Sequence, residues 1–398
     1  MQPARARLPA SIWALGFVSL LMDVSSEMIH SLLPVFLVSG LGASMVAVGL
    51  IEGLAEATAL VVKVFSGAWS DWLGRRKPLA VLGYGLGAAS KPLFALASTT
   101  GMVLGARLID RVGKGLRGAP RDALVADLAS PGQRGAAFGL RQALDTVGAF
   151  LGPLLAVALM LLWANDFRAV FWVAVVPAVL SVALLAFGVH EPERPAAARR
   201  VNPIRRDNLR QLSVAYWWVV GLGAVFTLAR FSEAFLVLRA QQGGLAIAWA
   251  PLVLIAMNVV YSLGAYPFGR LADTMSHRTL LALGLVVLVA ADLLLAAADR
   301  GVLLWAGIAL WGLHMALTQG LLATMVADTA PAALRGTAFG VFNLACGIAL
   351  LVASGLAGWL WDRFGAPATF GAGAALCALA LVLVGSPTLA DILKHRRA

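Results

Sequence analysis

The chain has 398 residues, of which 60% are hydrophobic and 13% charged, and its formal net charge is +11. A soluble domain carries roughly 25% charged residues, and no soluble fold of this length hides so much apolar surface. Apolar stretches of about 20 residues fit membrane-crossing helices. The alternating polarity of a membrane β-barrel is absent. The basic residues are spread over short loops, which reads as a topology signal and argues against nucleic-acid binding.

In chain order the sequence predicts an all-α polytopic fold with twelve spanning helices, six in each half. The first six cover about 11–38, 44–67, 78–97, 100–120, 134–162 and 167–188. The last six cover about 213–238, 245–268, 279–298, 301–325, 333–361 and 366–386. Residues 1–189 form one six-helix bundle and 213–398 the other, with a short tail. Between them, 190–212 holds Pro192, Pro195, Pro203 and six arginines without an apolar face, as expected of a solvated linker. The run from Ser11 is interrupted by Asp23 and Glu27, so it reads as a retained first helix and not as a cleaved leader. Lys and Arg are distributed twenty against four between the two sides, which predicts that both termini and the linker are cytoplasmic. Cys346 and Cys377 fall in apolar segments, and their spacing suits neither a metal site nor a disulfide framework. Trp217, Trp218, Trp305 and Trp361 lie near helix ends, where tryptophan anchors to the membrane interface.

The two halves repeat each other. Gly67–Asp71–Arg75–Arg76 recurs as Gly269–Asp273–His277–Arg278. Val125-Ala126-Asp127, followed by Arg134-Gly135-x-Ala137-Phe138-Gly139, recurs as Val326-Ala327-Asp328, followed by Arg335-Gly336-x-Ala338-Phe339-Gly340. Duplicated apolar halves are typical of transporters that move about a central site.

The loop from Gly67 through Asp71 and Gly74 to Arg75 and Arg76 resembles the loop motif of the major facilitator superfamily, with Trp72 where the family has a basic residue. The resemblance extends over nearly the whole chain. It implies a cytoplasmic gate in which Asp71, Arg75 and Arg76 hold the inner ends closed. The repeated Asp273 and Arg278, and Asp127, Arg134, Asp328 and Arg335, are expected to act with them as structural latch residues on the same face. Arg111-x-x-Lys114-Gly115 and Gly148-x-x-x-Gly152-Pro153 are similar to motifs of that superfamily's proton-coupled drug exporters. The family resemblance implies a functional monomer in a bacterial inner membrane, without a cofactor.

An ionisable residue within a span costs roughly 2.5–3.5 kcal/mol on insertion scales, so each needs a reason. The first helix offers Asp23, Glu27 and His30 on one face, and the second offers Glu52, Glu56 and Lys63. The fourth offers Arg107, Arg111 and Lys114 beside Asp110. The fifth offers Arg141 and Asp145 four apart, and Lys91 lies in the third. The second half has Arg230 and Glu233 one turn apart, Asp292, and the polar or aromatic candidates Asn258, Tyr261, Trp311, His314, Gln319 and Asn343. This asymmetry predicts that the first half handles protons and the second mostly shapes the pocket. A carboxyl that exchanges a dry setting for one beside a guanidinium takes up and releases a proton. Asp23, Glu27, Glu52 and Glu56, facing Arg107 or Arg111, are the candidates. Arg107, Arg141, Asp145, Arg230, Glu233, Asn258, Tyr261, His314 and Asn343 are candidates for the substrate cavity.

The expected function is secondary active transport by alternating access, with a small molecule leaving in exchange for protons. The basic cluster Lys91, Arg107, Arg111, Lys114 and Arg141 keeps open the uptake of a small anionic metabolite or metal chelate. A sensor or scaffold with a transporter fold is a remote alternative. The five histidines form no i, i+4 pair and there is no Gly-x-x-x-x-Gly-Lys phosphate loop, so nothing points to an enzyme or a resident metal.

Overall fold

The computed structural model describes residues 8–73, 75–130, 133–191, 211–298, 301–331 and 334–385. Gly74 and most of the linker lie outside these residues, as do the side chains of Gly67, Asp71, Arg134, Asp273, Gln319 and Arg335.

The helices of the first half are α1 (Ala10–His30), α2 (Met45–Leu73), α3 (Lys77–Leu96), α4 (Thr100–Leu128), α5 (Arg134–Leu162) and α6 (Phe167–Gly188). Those of the second are α7 (Val214–Ala229, resuming as Ala234–Gln242), α8 (Pro251–Thr274), α9 (His277–Ala297), α10 (Val302–Thr329), α11 (Arg335–Phe364) and α12 (Ala366–Gly385). Among the described residues, 9 helical segments are long and apolar enough to cross a membrane. Shorter apolar stretches lie within α10 and α12. The charged α4 completes the set of twelve. On α6, Trp172, Val176, Val179 and Leu180 are exposed together at helical spacing, which suits a lipid-facing stripe.

Several expected boundaries change. Helix α2 continues past 67 to Leu73, so the backbone of Gly67 and Asp71 belongs to the helix and not to the loop after it. Helix α8 covers Pro251–Thr274 rather than 245–268. Helix α4 runs past 120 to Leu128, through Pro120, so Arg121 and Asp122 belong to the helix and not to the loop after it. The first span is not one unbroken helix. It pauses after His30, continues over Leu33–Val35 and widens into a π turn over Phe36–Gly40. Pro34 supplies no N–H there, so an α-helical ladder back to His30 fails. The seventh span breaks between Ala229 and Ala234, so Arg230 and Glu233 occupy an interruption rather than a continuous helix. Arg230 N–H closes a tight turn onto Thr227 O at 3.1 Å. Ser232 Oγ accepts the Ala234 N–H at 3.2 Å, which starts the second segment.

The described residues fall into two compact units, one within Met1–Leu33 and Thr58–Asn202, the other within Pro34–Ala57 and Pro203–Ala398. In the first, α3 packs on α4, α1 on α5 and on α6, and α3 on α6. In the second, α9 packs on α10, α7 on α11 and on α12, and α9 on α12. The same four pairings occur six helices later, so the duplication seen in the loops extends to the packing. The first unit's core joins Ile12, Leu15, Val18 and Met22 of α1 to Ala80 and Tyr84 of α3 and to Leu124 and Val125 of α4.

Candidate functional site

The site begins with the contact between α5 and α1. A Cβ added at Gly148 would lie 2.7 Å from Leu20 O and 3.0 Å from Asp23 Cβ. One added at Gly152 would lie 2.8 Å from Val24 O and 2.8 Å from Glu27 Cβ. Glycines four apart therefore bring the α5 backbone against the turn of α1 that carries both acids. Pro153 follows within α5.

Around these acids the first unit gathers its charges. Asp145, Arg117, Arg121 and Lys114 act electrostatically on Asp23. Glu27 has His30 Nδ1 at 3.4 Å, with Lys114 and Arg111 acting from α4. The first helix thus faces the basic stripe of α4, but of the two expected partners Arg111 acts on an α1 acid, Glu27, while Arg107 acts on Asp110. Arg107 and Arg111 are buried, whereas Lys114 is exposed at the protein surface.

Lys91 takes no part with the α1 acids. Its Nζ pairs with Asp110 Oδ1 at 2.7 Å and donates to Ser26 Oγ at 3.1 Å. Ser90 Oγ donates to the same Asp110 oxygen at 3.5 Å, and Arg111 Nε lies 3.9 Å from the other. Two buried charges repay their desolvation only when the remaining lone pairs and protons are also met, and here hydroxyls and a guanidinium supply that.

A second network lies along α4 and α5. Arg141 Nη1 donates to Asp145 Oδ2 at 2.5 Å, one turn apart as expected. Arg121 Nε pairs with Asp122 Oδ1 at 3.1 Å, and its Nη1 donates to Ser19 Oγ at 3.2 Å. Ser19 Oγ is also 3.2 Å from Tyr84 Oη, and the Arg117 guanidinium lies 4.8 Å over the Tyr84 ring. Sequence reasoning missed Arg117, Arg121, Asp122 and Tyr84 as members. The signal was available: Arg107, Arg111, Lys114, Arg117 and Arg121 continue one helical stripe past the expected end of α4.

Helix α2 divides between the units. Glu52 and Glu56 lie on the part grouped with the second unit; Glu52 is buried and Glu56 half-buried. Lys63 lies on the part grouped with the first and is exposed.

In the second unit, His314 Nδ1 donates to Gly284 O at 2.9 Å, and the ring stacks on Phe226 at 5.1 Å. Trp311 and Asp292 are fully buried. Trp311 lies against Phe231 at 5.4 Å. Arg230, Glu233, Asn258, Tyr261 and Asn343 are half-buried. Trp217 and Trp218 are exposed, whereas Trp361, expected at the membrane interface, is buried against Phe235 and Phe370.

Of the gate residues, Arg76 Nη1 pairs with Asp127 Oδ2 at 3.0 Å, which ties the loop after α2 to the end of α4 within the first unit. Glu191, not anticipated from sequence, accepts the N–H groups of Arg76 (2.5 Å) and Lys77 (3.2 Å) and so caps the start of α3. Arg278 Nε donates to Val384 O at 2.8 Å.

The profile of the Major Facilitator Superfamily matches residues 15–349 and 239–391. An MFS-type transporter of Methanocaldococcus jannaschii is 33% identical over 364 residues, covering 89% of this chain and 89% of that protein. The multidrug resistance protein MdtH of Edwardsiella ictaluri is 26% identical, covering 86% and 85%. The crystal structure of the nucleoside transporter NupG superposes with a TM-score of 0.80 at 12% identity, covering 94% of this chain and 98% of that one, a likeness of fold alone.

Proposed function

The chain belongs to the Major Facilitator Superfamily of membrane transporters, and from that premise we propose that it exports a small molecule in exchange for protons by alternating access. The observation that carries this reading is the seating of Asp23 and Glu27 on Gly148 and Gly152, opposite the basic stripe of α4. A change in the packing of α5 on α1 alters the surroundings of both acids together, which is what coupling a proton to a conformational change requires. The match to a multidrug resistance protein favours export. In this reading the protein sits in the inner membrane with both termini cytoplasmic. Asn258, Tyr261 and Asn343 contribute to the pocket from the second half, while the fully buried His314 packs against Phe226.

The surplus of cations favours a second reading, uptake of a small anion. Lys91, Arg107, Arg111, Lys114, Arg117, Arg121 and Arg141 outnumber Asp23, Glu27, Asp110, Asp122 and Asp145 in the first unit.

Reconstituted vesicles with an imposed pH gradient separate the two. Export predicts that cationic dyes move against the proton flow. The second reading predicts that organic acids move with it. Asp23→Asn and Glu27→Gln should each abolish pH-driven movement in protein that remains folded. Normal transport by both amide variants would end the proton-coupled account.

A further inference from the structure

The N-terminus of α2, at the end away from Arg75 and Arg76, is closed by a residue from the far end of the chain. Met45 N–H donates to Asp362 Oδ1 and Val46 N–H to Asp362 Oδ2, both at 3.0 Å. Ala47 N–H donates to Ser44 Oγ at 3.2 Å, and Val48 N–H to Ser44 O at 3.1 Å. All four N–H groups that begin the helix are thereby met, two of them by one carboxylate of α11. A negative charge at this end also complements the helix dipole. Asp362 is exposed, so it meets this N-terminus at the surface rather than in a packed core.

Below that cap the two helices touch backbone to backbone. A Cβ at Gly53 would lie 2.8 Å from Leu351 Cα, and one at Gly49 would run into Ser354 O. On the α11 side, a Cβ at Gly358 would meet the Met45 carbonyl, and one at Gly355 would come 3.3 Å from Leu50 Cδ2. Farther along, Gln241 Nε2 donates to Ser39 Oγ at 2.8 Å. These contacts explain why Pro34–Ala57 groups with residues of the second half.

We propose that Asp362 and the N-terminus of α2 form the outer latch of the transport cycle. This rests on the alternating-access reading above. The latch holds the outer end of α2 on α11 while the protein is shut on that side, and it parts when the protein opens there. A carboxylate on a helix N-terminus suits this role because both groups accept water when separated, so opening leaves no buried polar group unmet. The glycines make the closed contact dry and tight without an interlock of side chains that would have to be undone.

The test reads the contact itself, without cargo. Ser354, fully buried in the described structure, is replaced as Ser354→Cys in a Cys346→Ala, Cys377→Ala background. Right-side-out vesicles are then treated with a membrane-impermeant maleimide. Adding Asp362→Ala should raise the alkylation rate about tenfold, from the loss of two charge-assisted hydrogen bonds. Asp362→Asn, which keeps the side-chain volume, should give a smaller rise. Buried Ser25, probed as Ser25→Cys in the first unit, should keep its rate when Asp362 is changed. Wild-type alkylation of Ser354→Cys in both Asp362 variants overturns the latch, and so does an equal rise at Ser25→Cys, which would mean general loosening. Neither result depends on transport, so failure of the vesicle assays above is distinguishable from failure here.

Discussion

Gly152 and Glu27 occupy the same small space: a Cβ on the glycine would fall 2.8 Å from the Cβ of the acid and 2.8 Å from Val24 O. The backbone atom cannot give way as a flexible side chain can, so the α1–α5 distance at the candidate proton site is set by the absence of one carbon.

Gly152→Ala should therefore displace α5 from α1. Overpacking of this kind costs about 1–3 kcal/mol, enough to lower the unfolding temperature in detergent and to slow transport. Gly139 lies on the same helix with nothing within 4 Å of an added Cβ, so Gly139→Ala should leave the unfolding temperature unchanged or slightly higher. Equal behaviour of the two variants in a thermal-unfolding scan would remove the steric argument.

The Lys91–Asp110 pair should behave as a structural strap between α3 and α4. Removing one partner leaves the other charge buried, at a cost of about 3–5 kcal/mol, whereas removing both is far milder. Lys91→Met and Asp110→Leu should each lower the unfolding temperature sharply, and the double variant should recover much of the loss. Additive losses in this double-mutant cycle would show that the two do not act as a pair.

The fold was readable from the sequence because its signals are long and repeated. Apolar runs gave the spans, and the recurrence of Asp127 and Arg134 as Asp328 and Arg335 gave the duplication that the packing then repeats. The placement of charges was readable only in part. Periodicity puts Asp23, Glu27 and His30 on one face, and the structure turns that face toward Lys114 and Arg111. Periodicity cannot tell that Lys91 finds Asp110 rather than an α1 acid, because that depends on the rotation of α3 about its own axis. Arg121 falls past the expected end of α4 at 120, because a dense run of charges imitates the end of a span. Partners supplied from a distance carry no local signal at all, as with Glu191 at the start of α3 and Asp362 at the start of α2.

Arg76 and Asp127 are only partly buried, with side-chain exposures of 13% and 23%, so their pair should contribute little to stability, roughly 0–1 kcal/mol. Its importance should appear in the cycle instead. Asp127→Asn is expected to leave the unfolding temperature within about 2 °C of wild type while changing the rate of pH-driven transport. The charge exchange Arg76→Asp with Asp127→Arg should restore part of that rate. A transport rate unaffected by either single change would make the pair a passive surface contact.

Tyr84 separates two contributions that its ring and its hydroxyl make to the same cluster. The ring is fully buried and carries the Arg117 guanidinium at 4.8 Å, while Oη meets Ser19 Oγ at 3.2 Å. Tyr84→Phe removes only the hydroxyl and should cost about 1 kcal/mol. Ser19 Oγ still receives Arg121 Nη1 in that variant, so no donor on α4 is stranded. Tyr84→Leu removes the aromatic face as well, and Arg117 is left buried without the surface that accommodates its charge. Losing the cation–π contact and opening a cavity together should cost several-fold more than losing the hydroxyl. Thermal unfolding of the two variants measures the difference directly: a Leu variant no less stable than the Phe variant would mean that the ring does not hold the guanidinium in place.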